Sequence, residues 1–236
     1  MTRLWTTLRL DLARRLPLRF DPRPLAEDLR RVERELFPRG SGGDWDAVAL
    51  WEPGCGIRHR TAAAHFPKRA PAPLLASFRS VLAALPGRKA RARLIRLEAG
   101  AYGQLHIDQT YRGSYRNPLR VHVPIVTNDR VYFLVNGQRV RMAPGQAWLV
   151  NVLLPHEVFN LGREPRTHLM IDVEPNDDLA RLVESAIRVQ DRPTPARLRA
   201  GRRAARTYLA GADAESRRAF VAREMMLADH ALCPRY

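Results

Sequence analysis

His106, Asp108 and His156 have the residue types and the spacing of a mononuclear metal site. Side chains on a β-strand alternate between its two faces, so on a strand His106 and Asp108 would point to the same side. His156 would add a second imidazole from a distant strand. Two imidazoles and one carboxylate make the facial triad of a non-haem Fe(II) oxygenase, which leaves the opposite face of the metal open to a co-substrate and O₂.

Arg166 extends this pattern. It lies ten residues after His156, which predicts that it belongs to the next antiparallel strand. A guanidinium group offers two parallel donors that suit a carboxylate, and the co-substrate 2-oxoglutarate carries one at its far end. A His-x-Asp pair alone occurs by chance in many chains, so this interpretation depends on the elements around it.

Those elements are short, alternating and rich in β-forming residues throughout residues 92–173. Residues 119–127 are β-branched and apolar. Residues 131–135 and 138–142 flank Asn136-Gly137, which is the strongest short hairpin signal because both residues tolerate a positive φ. Strands at this spacing, with no helices between them, predict an antiparallel barrel or jelly roll.

Helical patterns lie on either side of this segment. Asp21-Pro22 caps a helix whose apolar residues recur at helical spacing, and residues 71–85 form a second amphipathic segment. The pattern after Val173 is helical, with segments predicted at residues 177–189, 195–209 and 214–232. The sequence thus predicts a mainly β oxygenase domain with flanking helices at residues 1–175, and a C-terminal helical extension at residues 176–236.

The stretch from residue 120 to residue 174 resembles the aspartyl/asparaginyl β-hydroxylase family of 2-oxoglutarate oxygenases, which includes bacterial proline cis-hydroxylases. The family's motifs occur in order: His-x-Asp, Arg-x-His-x-Pro-Ile, Pro-Gly-x-x-Trp, Leu-Pro-His and Arg-x-His-Leu-x-Ile-Asp. The resemblance extends over roughly residues 15–180 and fades toward the N-terminus. It implies a double-stranded β-helix core, which is the cupin-like form of the jelly roll.

The resemblance also implies roles for individual residues. His106, Asp108 and His156 would bind Fe(II), and Arg166 would pair with the far carboxylate of 2-oxoglutarate beside His122. A serine that helps to bind 2-oxoglutarate in the family has no match here. Ile95 lies near its place, between Arg93 and Arg96.

Arginines near the predicted site are candidates for substrate binding. The resemblance implies that Arg120 points toward a substrate carboxylate, although pairing with a structural carboxylate is the alternative. Arg96, Arg112 and Arg116 are further candidates, the last two in a polar segment that also carries two tyrosines. His168 shares a strand face with Arg166, and it could line the pocket or serve a structural hydrogen bond.

The expected activity is an Fe(II)- and 2-oxoglutarate-dependent hydroxylation of an amino acid or a peptide-like, carboxylate-bearing small molecule. Two alternatives stay open. One is hydroxylation of a protein or peptide side chain, and the other is an inactive barrel that only binds a metal or an acidic ligand. The C-terminal helices would close over the substrate, as in related hydroxylases, or form a homodimer contact.

The formal net charge of +16 raises the question of nucleic-acid binding. The basic residues are almost all arginines spread along the chain, and the densest stretches lack interleaved aromatic residues that would stack on bases. A positive field that attracts acidic small molecules is the preferred interpretation. Two widely separated cysteines and the absence of a long apolar run predict a cytoplasmic protein without a membrane segment.

Overall fold

The computed structural model describes residues 12–36, 45–51, 76–106, 119–152, 154 and 156–188. The described helices are α1 (Pro22–Leu36), α2 (Ala76–Ala84) and α3 (Asp177–Glu184). The described strands are β1 (Ala13–Arg19), β2 (Trp45–Trp51), β3 (Lys89–Leu97), β4 (Tyr102–His106), β5 (Leu119–Val126), β6 (Val131–Val135), β7 (Gln138–Arg139), β8 (Gln146–Val150), β9 (His156–Asn160), β10 (Arg166–Val173) and β11 (Ile187–Arg188).

The strands form two antiparallel sheets. The larger sheet has the order β11-β1-β8-β5-β10-β3-β2, and the smaller has the order β4-β9-β6-β7. From β3 to β10 the chain passes back and forth between the two sheets, so strands that are distant in sequence become neighbours. This is the double-stranded β-helix, and the predicted fold class is confirmed.

The larger sheet has an outer face that the helices cover. Val121 and Val123 of β5 and Leu169 and Ile171 of β10 pack there against apolar side chains of all three helices, among them Leu25, Phe78 and Leu179. Burying each large apolar side chain contributes about 1.5–3 kcal/mol, so this layer holds the sheet and the helices together.

The alternate residues of the strands in the larger sheet form its inner face, which is turned toward the smaller sheet. Trp148 and Val150 of β8 pack there against Phe133 and Val135 of β6. Strand alternation therefore sends the polar residues of β5 and β10 into the space between the sheets.

The hairpin between β6 and β7 is confirmed. Val135 pairs with Gln138, and the two residues between them have positive φ angles of 52° at Asn136 and 77° at Gly137. These are the angles of the type I′ turn that the sequence predicts. The second strand is shorter than the predicted 138–142, because β7 ends at Arg139.

The helix α1 begins at Pro22 as predicted, and Asp21 accepts a hydrogen bond from the Arg23 backbone N–H at 3.0 Å. The helix predicted for residues 177–189 is shorter, because α3 ends at Glu184. Residues 187–188 instead pair with β1, which gives that strand a partner on its open side. The helices predicted for residues 195–209 and 214–232 lie outside the described residues.

Two compact units divide the chain, Met1–Arg192 and Pro193–Tyr236. The predicted boundary after residue 175 falls within the first unit. None of the helices in the described ranges has the length and hydrophobicity that crossing a bilayer requires.

Asn160, at the end of β9, links the turn between β3 and β4 to the turn between β9 and β10. Its side chain is fully buried, and its amide nitrogen donates to the carbonyl oxygens of Leu97, Glu98 and Glu164 at 3.2, 3.1 and 2.8 Å. Its side-chain oxygen accepts from the Gly162 backbone N–H at 3.1 Å. This one side chain therefore fixes the end of β3, opposite the start of β10.

Replacing Asn160 by alanine should lower the free energy of unfolding by about 3 kcal/mol, because several buried backbone groups would lose their partner at about 1–3 kcal/mol each. Urea denaturation measures this change. The matched control is Asn128→Ala at a more exposed neighbour, where a loss of about 1 kcal/mol is expected. Equal, small losses at the two positions would contradict the role assigned to Asn160.

Candidate active site

Polar side chains collect on the inner face of the larger sheet, where β5 and β10 lie side by side. Arg166, His168 and Asp172 alternate along β10, while Arg120 and His122 alternate along β5. The register places Met170 opposite His122 and Asp172 opposite Arg120. Side chains alternate between the two faces of each strand, and the two strands are paired. Arg120 and Arg166, which are 46 positions apart in the sequence, therefore lie on the same face of the sheet.

Arg166 is a buried cation. It is 2% exposed, its Nη2 donates to His168 Nδ1 at 2.7 Å, and its guanidinium carbon lies 5.8 Å from the centre of the Phe133 ring. Within the described ranges no carboxylate contacts it, and its Nε has no hydrogen-bond partner. Burial lowers the pKa of Arg166 to about 9, so the group stays charged at neutral pH. A desolvated cation with unused donors is a binding site for an anion.

His122 lies next to Arg166 on the inner face and is 5% exposed. Its ring centre is 5.7 Å from that of His168 and 5.5 Å from that of Phe133. Burial lowers the pKa of His122 well below its usual value, and the positive charges of Arg166 and Arg120 lower it further. The ring is therefore neutral at neutral pH, and in the part of the chain that is described its Nδ1 has no partner.

His156 faces the same space from the smaller sheet. Its ring stacks on Phe133 with centres 6.3 Å apart, and its Nδ1 lies 3.0 Å from the carbonyl oxygen of Leu154. That carbonyl can only accept, so Nδ1 carries the hydrogen and Nε2 keeps its lone pair. A backbone carbonyl that fixes one imidazole nitrogen in this way is the usual support of a metal-binding histidine.

The structure places the backbone of His106 opposite that of His156, since the two residues are register partners on β4 and β9. Asp108 and the side chain of His106 lie outside what is described. Among the described residues alone, no three histidine, cysteine or acidic side chains are close enough to hold a metal. The ligand set His106, Asp108 and His156 stays a prediction.

The residues that can be seen fit an iron and a dicarboxylate. His156 offers an unprotonated nitrogen, and the backbone register brings His106 to it. Arg166 and His168 both carry buried side-chain nitrogen atoms without a hydrogen-bond partner in the described part of the chain. Unmet buried donors are costly, and a bound carboxylate would satisfy them.

Arg120 forms a pair with Asp172 on the neighbouring strand. Its Nε is 2.8 Å from Oδ1 and its Nη2 is 3.0 Å from Oδ2, and Asp172 is 1% exposed. The register also puts Arg91 of β3 opposite Asp172. The structural carboxylate that the sequence left as an alternative is therefore present, and substrate binding by Arg120 stays a prediction.

Replacing Arg120 by alanine tests both roles. Removing one partner of a buried ion pair typically costs about 3–5 kcal/mol, so the free energy of unfolding should fall by about 3 kcal/mol. The apparent substrate affinity should also fall if Arg120 binds the substrate, as measured by substrate-dependent succinate formation. Arg163→Ala, at an exposed arginine, should change neither quantity. Unchanged substrate affinity in Arg120→Ala would remove the substrate-binding hypothesis.

Arg96, another predicted substrate-binding arginine, lies on a different face of the sheet from Arg120. Arg96 points to the outer face, where it forms ion pairs with Glu33 of α1 and with Glu98, the latter at 2.6 Å. Ile95, the residue before Arg96, is on the inner face of β3. Successive residues of a strand point to opposite faces, so Arg96 points away from Arg120 and His122. Arg112 and Arg116 lie outside the described residues.

One residue of the site was missed by sequence reasoning. Phe133 packs against His122 and His156 and beneath Arg166, and only its hairpin was recognised in the sequence. Glu157 follows His156 on β9 and points to the opposite face of the smaller sheet, where it accepts a hydrogen bond from the Tyr102 hydroxyl at 3.0 Å. Burial raises the pKa of Glu157 to about 6. The aromatic residue at position 133 gave no separate signal in the sequence.

Comparisons with known proteins point to one family. Residues 5–175 match the aspartyl/asparaginyl beta-hydroxylase family. The L-proline cis-4-hydroxylase of Rhizobium meliloti (strain 1021) is 25% identical over 197 residues, which cover 75% of this chain and 67% of that enzyme.

Solved structures also resemble the chain. The non-haem α-ketoglutarate dependent epimerase SnoN from nogalamycin biosynthesis aligns with a TM-score of 0.45 and 19% identity, over 80% of this chain and 90% of that one. The viral collagen prolyl hydroxylase vCPH of Paramecium Bursaria Chlorella virus-1 aligns with a TM-score of 0.41 and 8% identity, over 64% and 91%. The family match spans every strand from β1 to β10, and the chain belongs to the aspartyl/asparaginyl β-hydroxylase family.

Proposed function

We propose that this protein is an Fe(II)- and 2-oxoglutarate-dependent dioxygenase that hydroxylates an amino acid or a peptide-like substrate with a carboxylate. The observation that carries the proposal is Arg166, a buried guanidinium with an unused donor on the inner face of the fold. Membership of a hydroxylase family makes the protein an oxidoreductase and supports this chemistry.

His106, Asp108 and His156 would hold the iron, with the Leu154 carbonyl keeping Nε2 of His156 as the ligand atom. Fe(II) and 2-oxoglutarate together supply the oxidising power that places one atom of O₂ in a substrate C–H bond and the other in succinate, with release of CO₂. The acidic residue Asp108 would complete the three-ligand set.

The residues around the metal bind and orient the co-substrate. Arg166 would pair with the far carboxylate of 2-oxoglutarate and so set the position of its keto acid end. His122 is neutral and lies beside it, which adds no competing charge. The apolar cluster of Phe133, Val135 and Trp148 excludes water from this space, and a lower dielectric strengthens the pairing of Arg166 with an anion.

The substrate would be recognised at the other end of the inner face. Asp172 is six residues beyond Arg166 on β10, a distance of ~20 Å along an extended strand. Arg120 lies opposite Asp172, which binds its Nε and Nη2 and holds the guanidinium on the inner face, where it would meet a substrate carboxylate. The similarity to an enzyme named for L-proline favours an amino acid as the first substrate to test.

The experiment is a screen for substrate-dependent succinate formation. The full chain is incubated with Fe(II), 2-oxoglutarate and, in separate reactions, free amino acids beginning with proline, N-acylated amino acids, and short peptides. Succinate that appears only with a carboxylate-bearing small molecule supports the proposal. Turnover restricted to internal peptide side chains would favour the protein-hydroxylase alternative. Turnover restricted to compounds without a carboxylate would overturn the substrate class.

A further inference from the structure

The strand β4 has an irregularity just before His106. Gly103 pairs with Val158 of β9, and His106 pairs with His156. Three steps along β4 therefore oppose two steps along β9, so β4 has one extra residue between these two pairs. This is the count of a β-bulge, in which two residues of one strand lie opposite a single residue of its partner.

The extra residue changes the face to which position 106 belongs. Tyr102 lies on the outer face of the smaller sheet, where its ring stacks on Phe159 with centres 4.4 Å apart. Strict alternation would assign His106, four positions later, to that same outer face and away from His156. One inserted residue reverses the alternation. The bulge therefore assigns position 106 to the inner face, as the predicted ligand set requires.

A chain of two hydrogen bonds holds this bulge. The Leu105 backbone N–H lies within the irregular stretch, and it donates to the Tyr102 hydroxyl oxygen at 3.1 Å. The same hydroxyl donates its hydrogen to Oε2 of Glu157 at 3.0 Å. Glu157 is buried, and it is the residue of β9 between the two pairs that flank the bulge. A backbone N–H displaced from the strand ladder needs another partner, and a tyrosine hydroxyl can accept one hydrogen bond while it donates another.

The two strands also approach closely where the bulge begins. A Cβ atom at Gly103 would lie 2.8 Å from Cγ1 of Val158, which is closer than carbon atoms normally come. Glycine inside a strand often marks a bulge or a close approach of this kind. The residue at position 103 thus fits the same local geometry as the hydrogen bonds of Tyr102.

We propose that Tyr102 is a positioning residue for the metal site, because it holds the bulge that brings His106 into register with His156. Tyr102 acts through the backbone of Leu105, while Glu157 fixes the direction of the hydroxyl. Bulges are common next to active sites, where they re-aim a side chain. This inference rests on the proposed function, since the bulge has this use only if His106 and His156 bind the same metal.

The test is a titration of the full chain with Mn(II), whose EPR signal in solution is lost on binding. Mn(II) accepts nitrogen and oxygen ligands as Fe(II) does, and it causes no turnover. Tyr102→Phe keeps the ring on Phe159 and loses the hydroxyl, so it should weaken Mn(II) binding about fivefold. Tyr132→Phe, at a second tyrosine that faces Phe159 from β6, is the matched control and should bind Mn(II) like the wild type.

Removal of the extra residue gives a second arm. A chain without Gln104 has equal numbers of residues between the two flanking pairs, so His106 can oppose His156 without a bulge. Tyr102 then has no bulge to hold. In the chain without Gln104, adding Tyr102→Phe should therefore change Mn(II) affinity by less than about twofold.

A conservative variant separates positioning from packing. Glu157→Gln keeps an oxygen that accepts from the Tyr102 hydroxyl, and it should bind Mn(II) within about twofold of the wild type. Three results would overturn the inference. They are wild-type affinity in Tyr102→Phe, equal weakening in Tyr132→Phe, and an undiminished effect of Tyr102→Phe in the chain without Gln104.

A measurement on the metal-free chain tests the bulge without the metal. The Leu105 amide should exchange with deuterium slowly in the wild type and in Tyr132→Phe, and about fivefold faster in Tyr102→Phe. Equal exchange rates in all three proteins would contradict the contact with Tyr102. A wild-type protein that protects this amide but does not bind Mn(II) would instead overturn the proposed ligand set.

Discussion

Replacing His156 by alanine is expected to abolish Fe(II) binding and turnover. His156 is the predicted ligand whose environment is described, with Nδ1 fixed by the Leu154 carbonyl and Nε2 left unprotonated. Removing it leaves one imidazole and one carboxylate, which hold Fe(II) poorly, and His106→Ala should behave in the same way. Metal analysis after anaerobic loading and succinate formation measure the two effects.

Two comparisons make this result specific. Asp108→Ala should retain some metal, because two imidazoles would remain as ligands. Arg163→Ala, at an exposed arginine in the turn between β9 and β10, should keep full metal content and activity. Full activity of His156→Ala without added imidazole would contradict the ligand assignment.

Replacing Arg166 by alanine is expected to raise the apparent 2-oxoglutarate requirement by about tenfold or more. Each hydrogen bond to a charged group contributes about 1.5–3 kcal/mol, and a bidentate guanidinium–carboxylate pair makes two of them. Arg166 is buried and charged, so no solvent competes for its donors. The dependence of the initial rate on 2-oxoglutarate concentration measures the change, and Fe(II) affinity should stay nearly the same.

Arg166→Lys is the matched control, because it keeps the positive charge and loses the two-pronged donor. It should fall between the wild type and Arg166→Ala. An unaltered 2-oxoglutarate requirement in Arg166→Ala would transfer the role to another arginine. Arg93 would then be the better candidate, since it pairs in register with Met170 on the inner face, whereas Arg96 is bound to Glu33 on the outer face.

Much of the fold follows from local patterns in the sequence. The alternation of residues 119–126 and 166–173 predicts strands with one apolar face, and Asn136-Gly137 predicts a two-residue hairpin. The same period of two correctly places Arg120 and His122 on one face. These features depend only on strand geometry, so they can be predicted from the sequence alone.

Contacts between strands could not be predicted in this way. The pair of Arg120 with Asp172 joins residues 52 positions apart and depends on the register between β5 and β10. In β3, basic and apolar residues alternate irregularly, so only the register shows that Arg96 points outward toward α1. The sequence suggested that His168 shares a face with Arg166, but only coordinates show which nitrogen it uses.

The end of the domain was also beyond local patterns. Residues 177–189 have a helical pattern, yet α3 ends at Glu184 and Ile187 and Arg188 pair with β1. The open edge of β1 exists only in the folded domain. Pairing at that edge stabilises residues 187–188 as a strand, although their spacing in the sequence predicts a helix.

The most direct test of the central claim is an anaerobic titration followed by visible absorption. The full chain is loaded with Fe(II) without O₂, and 2-oxoglutarate is then added. A 2-oxoglutarate-dependent oxygenase should develop a weak charge-transfer band that saturates with 2-oxoglutarate, does not form in His156→Ala, and requires a higher concentration in Arg166→Ala. Absence of this band in a wild-type protein that has bound Fe(II) would contradict the account and favour an inert binding barrel.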